Sequence, residues 1–166
     1  ERFWAALFQS VTPRTAGFNT VPLPLLSPVG AMLLVCLMLI GGAPGSTAGG
    51  MKVTTVAALA LSVRAAFRRQ DTPRCFGRRL PKETALYVGA LLFLYLGLFL
   101  VSGAVICLAE GVSLEAAFFE TASALGTVGL SMGITPELGP VSKVVLMALM
   151  FFGRVGGLTM MYALTQ

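Results

Sequence analysis

The sequence contains no histidine, and it is poor in acids: seven Asp and Glu stand against twelve Lys and Arg in 166 residues. Charged residues are only 11% of the chain, where soluble domains carry about a quarter. Hydrophobic residues reach 56% and mean hydropathy is +0.85, so water is not the main solvent of this protein. The three cysteines, Cys36, Cys75 and Cys107, lack the spacing of a zinc site; they read as unpaired thiols, two in apolar runs and one in a basic stretch. No residue set has the make-up of a catalytic site, which argues against an enzyme. No signal-peptide pattern precedes Phe3, and the chain is expected to begin inside a longer protein. The net charge of +5 raises the question of nucleic acid. Seven of the twelve basic residues, however, fall in the single stretch 64–82, with only Phe67 and Phe76 among them, which argues against it and leaves membrane lipid as the surrounding partner.

What is present is a repeat. Ala5-Ala6-Leu7-Phe8-Gln9-Ser10 aligns with Ala116-Ala117-Phe118-Phe119-Glu120-Thr121 at an offset of 111 residues. After one inserted residue the offset is 112: Thr15-Ala16-Gly17-Phe18-Asn19 falls on Thr127-Val128-Gly129-Leu130-Ser131, and Pro28-Val29 on Pro140-Val141. A repeat of this length implies one structural unit used at least twice.

Each copy has the parts of a cation filter. A short helix dips into the membrane and aims the negative end of its dipole inward. A non-helical Thr-x-Gly segment follows, in which Gly17 or Gly129 permits backbone angles that other residues avoid. Carbonyl oxygens along such a segment can replace the hydration shell of K⁺. The filter candidates are Thr15, Ala16, Gly17, Phe18, Asn19, Thr127, Val128, Gly129, Leu130 and Ser131. The plainer alternative is a pair of ordinary loops with turn glycines.

Residues 10–20, Ser-Val-Thr-Pro-Arg-Thr-Ala-Gly-Phe-Asn-Thr, resemble the third pore loop of the Trk/Ktr/HKT superfamily of potassium transporters. Residues 127–135, Thr-Val-Gly-Leu-Ser-Met-Gly-Ile-Thr, resemble its fourth. The resemblance is greatest to the bacterial Ktr-type transmembrane subunit and covers nearly the whole chain. It implies an all-α membrane protein of helix–pore loop–helix units, with re-entrant pore helices and a broken helix. On this reading residues 1–69 are the third repeat without its first helix, 70–82 a cytoplasmic basic loop, and 83–166 the fourth repeat. The resemblance further implies K⁺ as the transported ion, no organic cofactor, and the remaining two repeats in the same subunit. It also implies a homodimer of complete subunits, a cytoplasmic nucleotide-binding regulatory subunit, and location in the cell membrane as a multi-pass protein.

In chain order, 1–11 reads as a pore helix ended by Pro13. Arg14 is unusual beside a cation path and is expected to point into a side network. Residues 21–27, with Pro22 and Pro24, climb back to the surface. Pro28 opens a helix, but the apolar run 29–40 is too short to span a bilayer. It meets Gly41-Gly42-Ala43-Pro44-Gly45-Ser46-Thr47-Ala48-Gly49-Gly50, a composition that cannot sustain a helix, before helix resumes near Met51 and runs to about Phe67. Irregular backbone at this depth is tolerated only inside protein or beside a water-filled cavity. A phosphate-binding loop is the rival reading, but the Gly-Lys-Ser/Thr ending is missing. In the superfamily the corresponding loop is the intramembrane gate, and Gly41–Gly50 is assigned that role through the resemblance.

The basic stretch 64–82 is placed on the cytoplasmic side by the positive-inside rule, with contact to anionic lipid or a cytoplasmic partner as an added possibility. Residues 84–109 carry no charge and read as a full transmembrane helix. Glu110, Glu115 and Glu137 are expected to cluster near the outer mouth, either concentrating cations or as plain surface charge. Glu120, about two turns before the filter, either holds the filter scaffold or faces the vestibule. Residues 141–164 read as the last helix, with one charge, Arg154. The 112-residue offset sets Arg154 level with Gly42, and the superfamily's matching arginine faces the gate loop; snorkelling to the surface is the alternative. Two other classes stay open: a secondary transporter with a midplane site on the broken helix, which calls for inverted rather than parallel copies, and an inactive membrane fragment.

Overall fold

A computed structural model describes residues 2–70, 72–75 and 78–156. Its helices run in the order α1 (Arg2–Val11), α2 (Pro28–Leu39), α3 (Val53–Phe67), α4 (Lys82–Glu110), α5 (Leu114–Gly126) and α6 (Pro140–Val155). Three-residue 3-10 turns at Leu23–Leu25 and Thr135–Glu137 precede α2 and α6. The two-residue strands β1 (Arg74–Cys75) and β2 (Arg78–Arg79) pair antiparallel within the basic stretch. The two turns, and the prolines that open α2 and α6, stand in the same relation as the sequence copies: Leu23 onto Thr135 and Pro28 onto Pro140.

Local sequence accounts for the helix ends. Ser27 caps α2 by accepting a hydrogen bond from the Gly30 amide at 3.2 Å, and Pro28 starts it. Ser113 caps α5 in the same way through the Ala116 amide at 3.4 Å. Gly111, at φ 64, ends α4. Among the described residues, α4 is the one helix long and apolar enough to cross a membrane, with mean hydropathy 2.6 over an 18-residue window within Glu83–Glu110. Its 28 residues extend about 42 Å at 1.5 Å each, more than the hydrocarbon thickness. Helices α2 and α3 hold 12 and 15 residues, and neither reaches across alone.

The centre of the molecule is α5. It packs against α2, α4 and α6 and is buried along almost its whole length from Ala116 to Gly126. Its small residues, Ala116, Ala117, Ala122, Ala124 and Gly126, let neighbouring helices close in, while Phe119 and Leu125 fill the remaining space beside Met38, Ile106 and Leu149. Gly103 of α4 is in face contact with Phe118, where a Cβ would overlap the ring. By contrast α1 lies at the edge, with Phe3 and Trp4 about 70% exposed.

Two boundaries differ from expectation. The last helix is interrupted at Gly156, which takes φ 86 after α6 ends at Val155; the rest of the expected span, 157–164, lies outside the described residues. The basic stretch is not all loop. Arg64 belongs to α3, which ends at Phe67 as expected, but β1 and β2 pair within the expected 70–82 loop, tied by the Leu80 amide donating to the Pro73 carbonyl at 2.9 Å. A four-residue pairing leaves too short an alternation to be read from sequence.

Candidate functional site

Both Thr-x-Gly segments adopt the same backbone. Thr15 and Gly17 have φ 66 and 71; Thr127 and Gly129 have φ 53 and 89. Positive φ is uncommon for any residue with a Cβ and a real outlier for a β-branched one, and here it recurs at both threonines. Left-handed residues alternating with others can, in general, turn successive carbonyls toward one side, as a cation path requires. Matching hydrogen bonds anchor the two turns. The Ala16 amide donates to the Thr12 carbonyl at 3.1 Å, and the Val128 amide to the Ser123 carbonyl at 2.9 Å. The copies also meet: a Cβ on Gly17 would sit 2.5 Å from the Val128 carbonyl oxygen. A cavity of about 670 Å³ is bordered by all five residues 127–131, and Glu120 and Arg154 also line it.

The outer residue of each segment is held from its preceding helix. In the first copy the Gln9 amide nitrogen donates to the Asn19 side-chain oxygen at 3.2 Å, and the Thr12 hydroxyl donates to the Phe18 carbonyl at 2.5 Å. In the second, the Glu120 carboxylate, 4% exposed, accepts from the Ser131 hydroxyl (2.5 Å), the Met132 amide (3.0 Å) and the Thr135 hydroxyl (2.8 Å). Of the two roles open to Glu120, the geometry gives it the scaffold.

The glycine-rich stretch leaves the helix at Ile40 and returns at Lys52. Its neck is closed by the Gly41 amide donating to the Met51 carbonyl at 2.7 Å and the Val53 amide to the Gly42 carbonyl at 3.2 Å. Only glycine fits at Gly41, because a Cβ would overlap the Gly49 carbonyl. Ala48, Gly49 and Gly50 are buried, whereas Ala43, Pro44, Gly45, Ser46 and Thr47 form an exposed tip. Three cations hold its carbonyls. Arg154 donates to Thr47, Lys52 to Ala48 and, at 3.3 Å, to Ser46, and Arg14 to Gly41 at 3.4 Å. The structure thus brings Arg154 and the loop together, and it identifies the network around Arg14 as that same loop. Lys52 escaped the sequence reading, although a lone cation ending a glycine run in an apolar span was a usable signal. Gly126 and Gly153 escaped it too. A Cβ on Gly126 would lie 2.5 Å from the Met38 carbonyl, and one on Gly153 would overlap the Leu125 carbonyl. Nothing local in the sequence marks these approaches.

The acids expected near the outer mouth do not form a metal site. Among the described residues no three acidic, cysteine or histidine side chains converge as a metal site. Glu110 instead spans from the end of α4 to the start of α6, accepting from the Gly139 amide at 2.8 Å and the Ser142 hydroxyl at 2.6 Å. It caps a helix start, where a carboxylate also meets the positive end of the dipole. Glu115 lies in the first turn of α5 and Glu137 in the 3-10 turn, both exposed.

Comparison with known proteins agrees with this architecture. Residues 1–165 match the model of the family described as TrkH, cation transport protein. The potassium/sodium uptake protein NtpJ of Enterococcus hirae is 40% identical over 168 residues, covering 99% of this chain and 37% of that protein. Ktr system potassium uptake protein B of Bacillus subtilis is 36% identical over 171 residues, covering 100% of this chain and 37% of its own length. The crystal structure of the potassium transporter TrkH from Vibrio parahaemolyticus superposes with a TM-score of 0.82 at 29% identity, covering 98% of this chain and 37% of that one. The chain thus spans a little over a third of the length of these relatives. Helix order, the doubled Thr-x-Gly turn and the family match agree: the chain belongs to the TrkH family of cation transport proteins, the integral membrane proteins of the Trk and Ktr potassium uptake systems.

Proposed function

We propose that this chain is part of a K⁺-translocating membrane subunit, in which residues 15–19 and 127–131 supply two sides of a carbonyl filter. The observation that carries the reading is the pair of left-handed threonine–glycine turns lying against each other at the Gly17–Val128 contact. Potassium loses its water to oxygens spaced by backbone geometry, so no charged ligand is needed in the path. Helices α1 and α5, at 10 and 13 residues, are the re-entrant pore helices. The transported ion agrees with the names of the relatives, which are potassium or potassium/sodium uptake proteins.

Beneath the filter, Gly41–Gly50 is the gate and Arg154 its latch. A fixed positive charge in a narrow passage of low dielectric repels K⁺, while its donors hold loop carbonyls across the path. Two further repeats of the same subunit complete the ring, with lipid or those repeats covering the exposed Phe3 and Trp4 of α1. A dimer of complete subunits and a cytoplasmic nucleotide-binding partner belong to the same proposal. The relatives' names, which describe them as components of Ktr and Trk systems, support multi-protein assembly.

The test is selectivity in the full-length protein. Gly129→Ser places a side chain on a residue at φ 89, which only glycine occupies without strain. Uptake should lose its preference for K⁺ over Na⁺. An unchanged ratio in a well-expressed variant removes Gly129 from the filter.

A further inference from the structure

Thr127 stands where three elements meet. Its hydroxyl oxygen accepts a hydrogen bond from the Gly49 amide at 3.1 Å. The approach leaves no room for a side chain: a Cβ on Gly49 would overlap that hydroxyl and lie 3.0 Å from the Gly126 carbonyl. The Thr127 methyl carbon lies 2.8 Å from that same Cβ position and 3.2 Å from the place a Cβ on Gly153 would take. Gly153 precedes Arg154, whose guanidinium holds the Thr47 carbonyl. One side chain is therefore in contact with the glycine-rich loop and with the last helix, while its own backbone is the first residue of a Thr-x-Gly turn. Thr15, the matching residue, shares the left-handed backbone but makes no side-chain hydrogen bond among the described residues.

We propose that Thr127 is the residue through which the loop sets the inner mouth of the filter, an inference that rests on the filter and gate assignment above. With the loop seated, the Gly49 N–H fixes the Thr127 hydroxyl, engages one of its two lone pairs, and points the positive end of its dipole at that oxygen. The oxygen is then a poor ligand for a cation. With the loop withdrawn, the same oxygen is released at the inner end of the carbonyl row, where it can take the place of a water on the ion. Gly49 is buried, so its amide also has a cost when the hydroxyl is absent, because an orphaned donor destabilises the seated loop. The loop then acts on the site as well as on the passage: seating it lowers ion affinity at the inner mouth.

The experiment compares variants of the full-length transporter by initial K⁺ uptake over a range of K⁺ concentrations, normalised to protein in the membrane. Gly49→Ala forces the loop off Thr127 but leaves the hydroxyl, so maximal flux rises and the apparent KM for K⁺ falls. Thr127→Val removes the oxygen at constant shape, so maximal flux also rises while KM increases. Each shift should be about fivefold, the effect of one neutral hydrogen bond. Thr127→Ser keeps the oxygen and should move KM less than Thr127→Val. The double variant Gly49→Ala/Thr127→Val should reach no higher flux than either single one, because both break the same contact. Increased flux with KM unchanged in both single variants makes the loop a simple plug and overturns the proposal. So does unchanged flux in both single variants when deletion of residues 42–49 increases it, and in that case the gate assignment stands. If the deletion itself leaves flux unchanged, the gate assignment falls and this inference with it. Should Thr127→Val fail to reach the membrane, the KM of Gly49→Ala decides alone.

Discussion

The two Thr-x-Gly copies share a backbone and differ in almost everything around it. The second follows α5, which is enclosed by three helices and buried from Ala116 to Gly126. The first follows α1, whose Phe3, Trp4, Leu7 and Val11 are largely exposed. In the second copy a carboxylate, Glu120, collects three donors; in the first an amide, Gln9, makes one hydrogen bond and its buried Oε1 has no partner among the described residues. Yet the threonines and glycines fall in the same left-handed region. The turn is thus encoded within a dozen residues, by a helix end, a permissive glycine and a carbonyl four or five residues back. Packing decides how firmly that turn is held, not its shape. The comparison predicts that matched substitutions in the two copies will have unequal effects.

The largest difference should be at the glycines. Both have positive φ, but a Cβ on Gly17 would press on the Val128 carbonyl while one on Gly129 meets nothing within 4 Å. Gly17→Ala should therefore abolish K⁺ uptake by separating the two segments. Gly129→Ala should cost only backbone strain, about 1 kcal/mol, and keep measurable, less selective uptake. Equal losses in both, with equal protein in the membrane, would break the claim that the segments touch.

Next in size are the arginines that reach the loop, one from each copy. Arg154→Ala should raise K⁺ flux severalfold by removing both a charge and a contact to Thr47. Arg14→Ala should raise it less, since its contact to Gly41 is a long 3.4 Å. A fall in flux for Arg154→Ala at normal expression makes the arginine structural and ends the gate assignment.

Smaller still is the difference between the braces. Glu120→Ala takes the acceptor from the half-buried Met132 amide and leaves the Ser131 and Thr135 hydroxyls only each other, and should destabilise the solubilised full-length protein by about 1–3 kcal/mol. Gln9→Ala removes one hydrogen bond and one orphaned oxygen together and should cost at most about 1 kcal/mol. Thermal unfolding in detergent measures both, and a larger loss at Gln9 would reverse the ranking. The last test leaves activity aside. Parallel copies require Gln70 inside and Glu137 outside. Gln70→Cys should react with an impermeant thiol reagent only from the cytoplasmic face and Glu137→Cys only from outside. Labelling of both from one face would refute parallel copies.

The repeat, the Thr-x-Gly turns and the interrupted helix were legible because each is written in short-range chemistry. Thr-x-Gly at a helix end, proline at a helix start and five glycines in ten residues act through neighbours in the chain. Glu120 was legible only as a choice between two roles, since its three donors come from a segment 11 to 15 residues away. The partners of Glu110 were not legible, because sequence proximity to a pore loop says nothing about which donors a carboxylate will find; Glu110 found the Gly139 amide and the Ser142 hydroxyl at the start of α6.

The sequence by itself determined a membrane solvent, a doubled unit and the handedness of its turns, for hydropathy, periodicity and glycine act locally and add up along the chain. Tertiary structure alone decided which surfaces meet. Gly49 faces Thr127, Gly126 faces Met38, Gly153 faces Leu125, and three cations from separate elements converge on one loop. Those approaches depend on how α2, α5 and α6 settle against one another, and a helix axis displaced by an ångström would undo each of them while leaving every local preference in the chain unchanged.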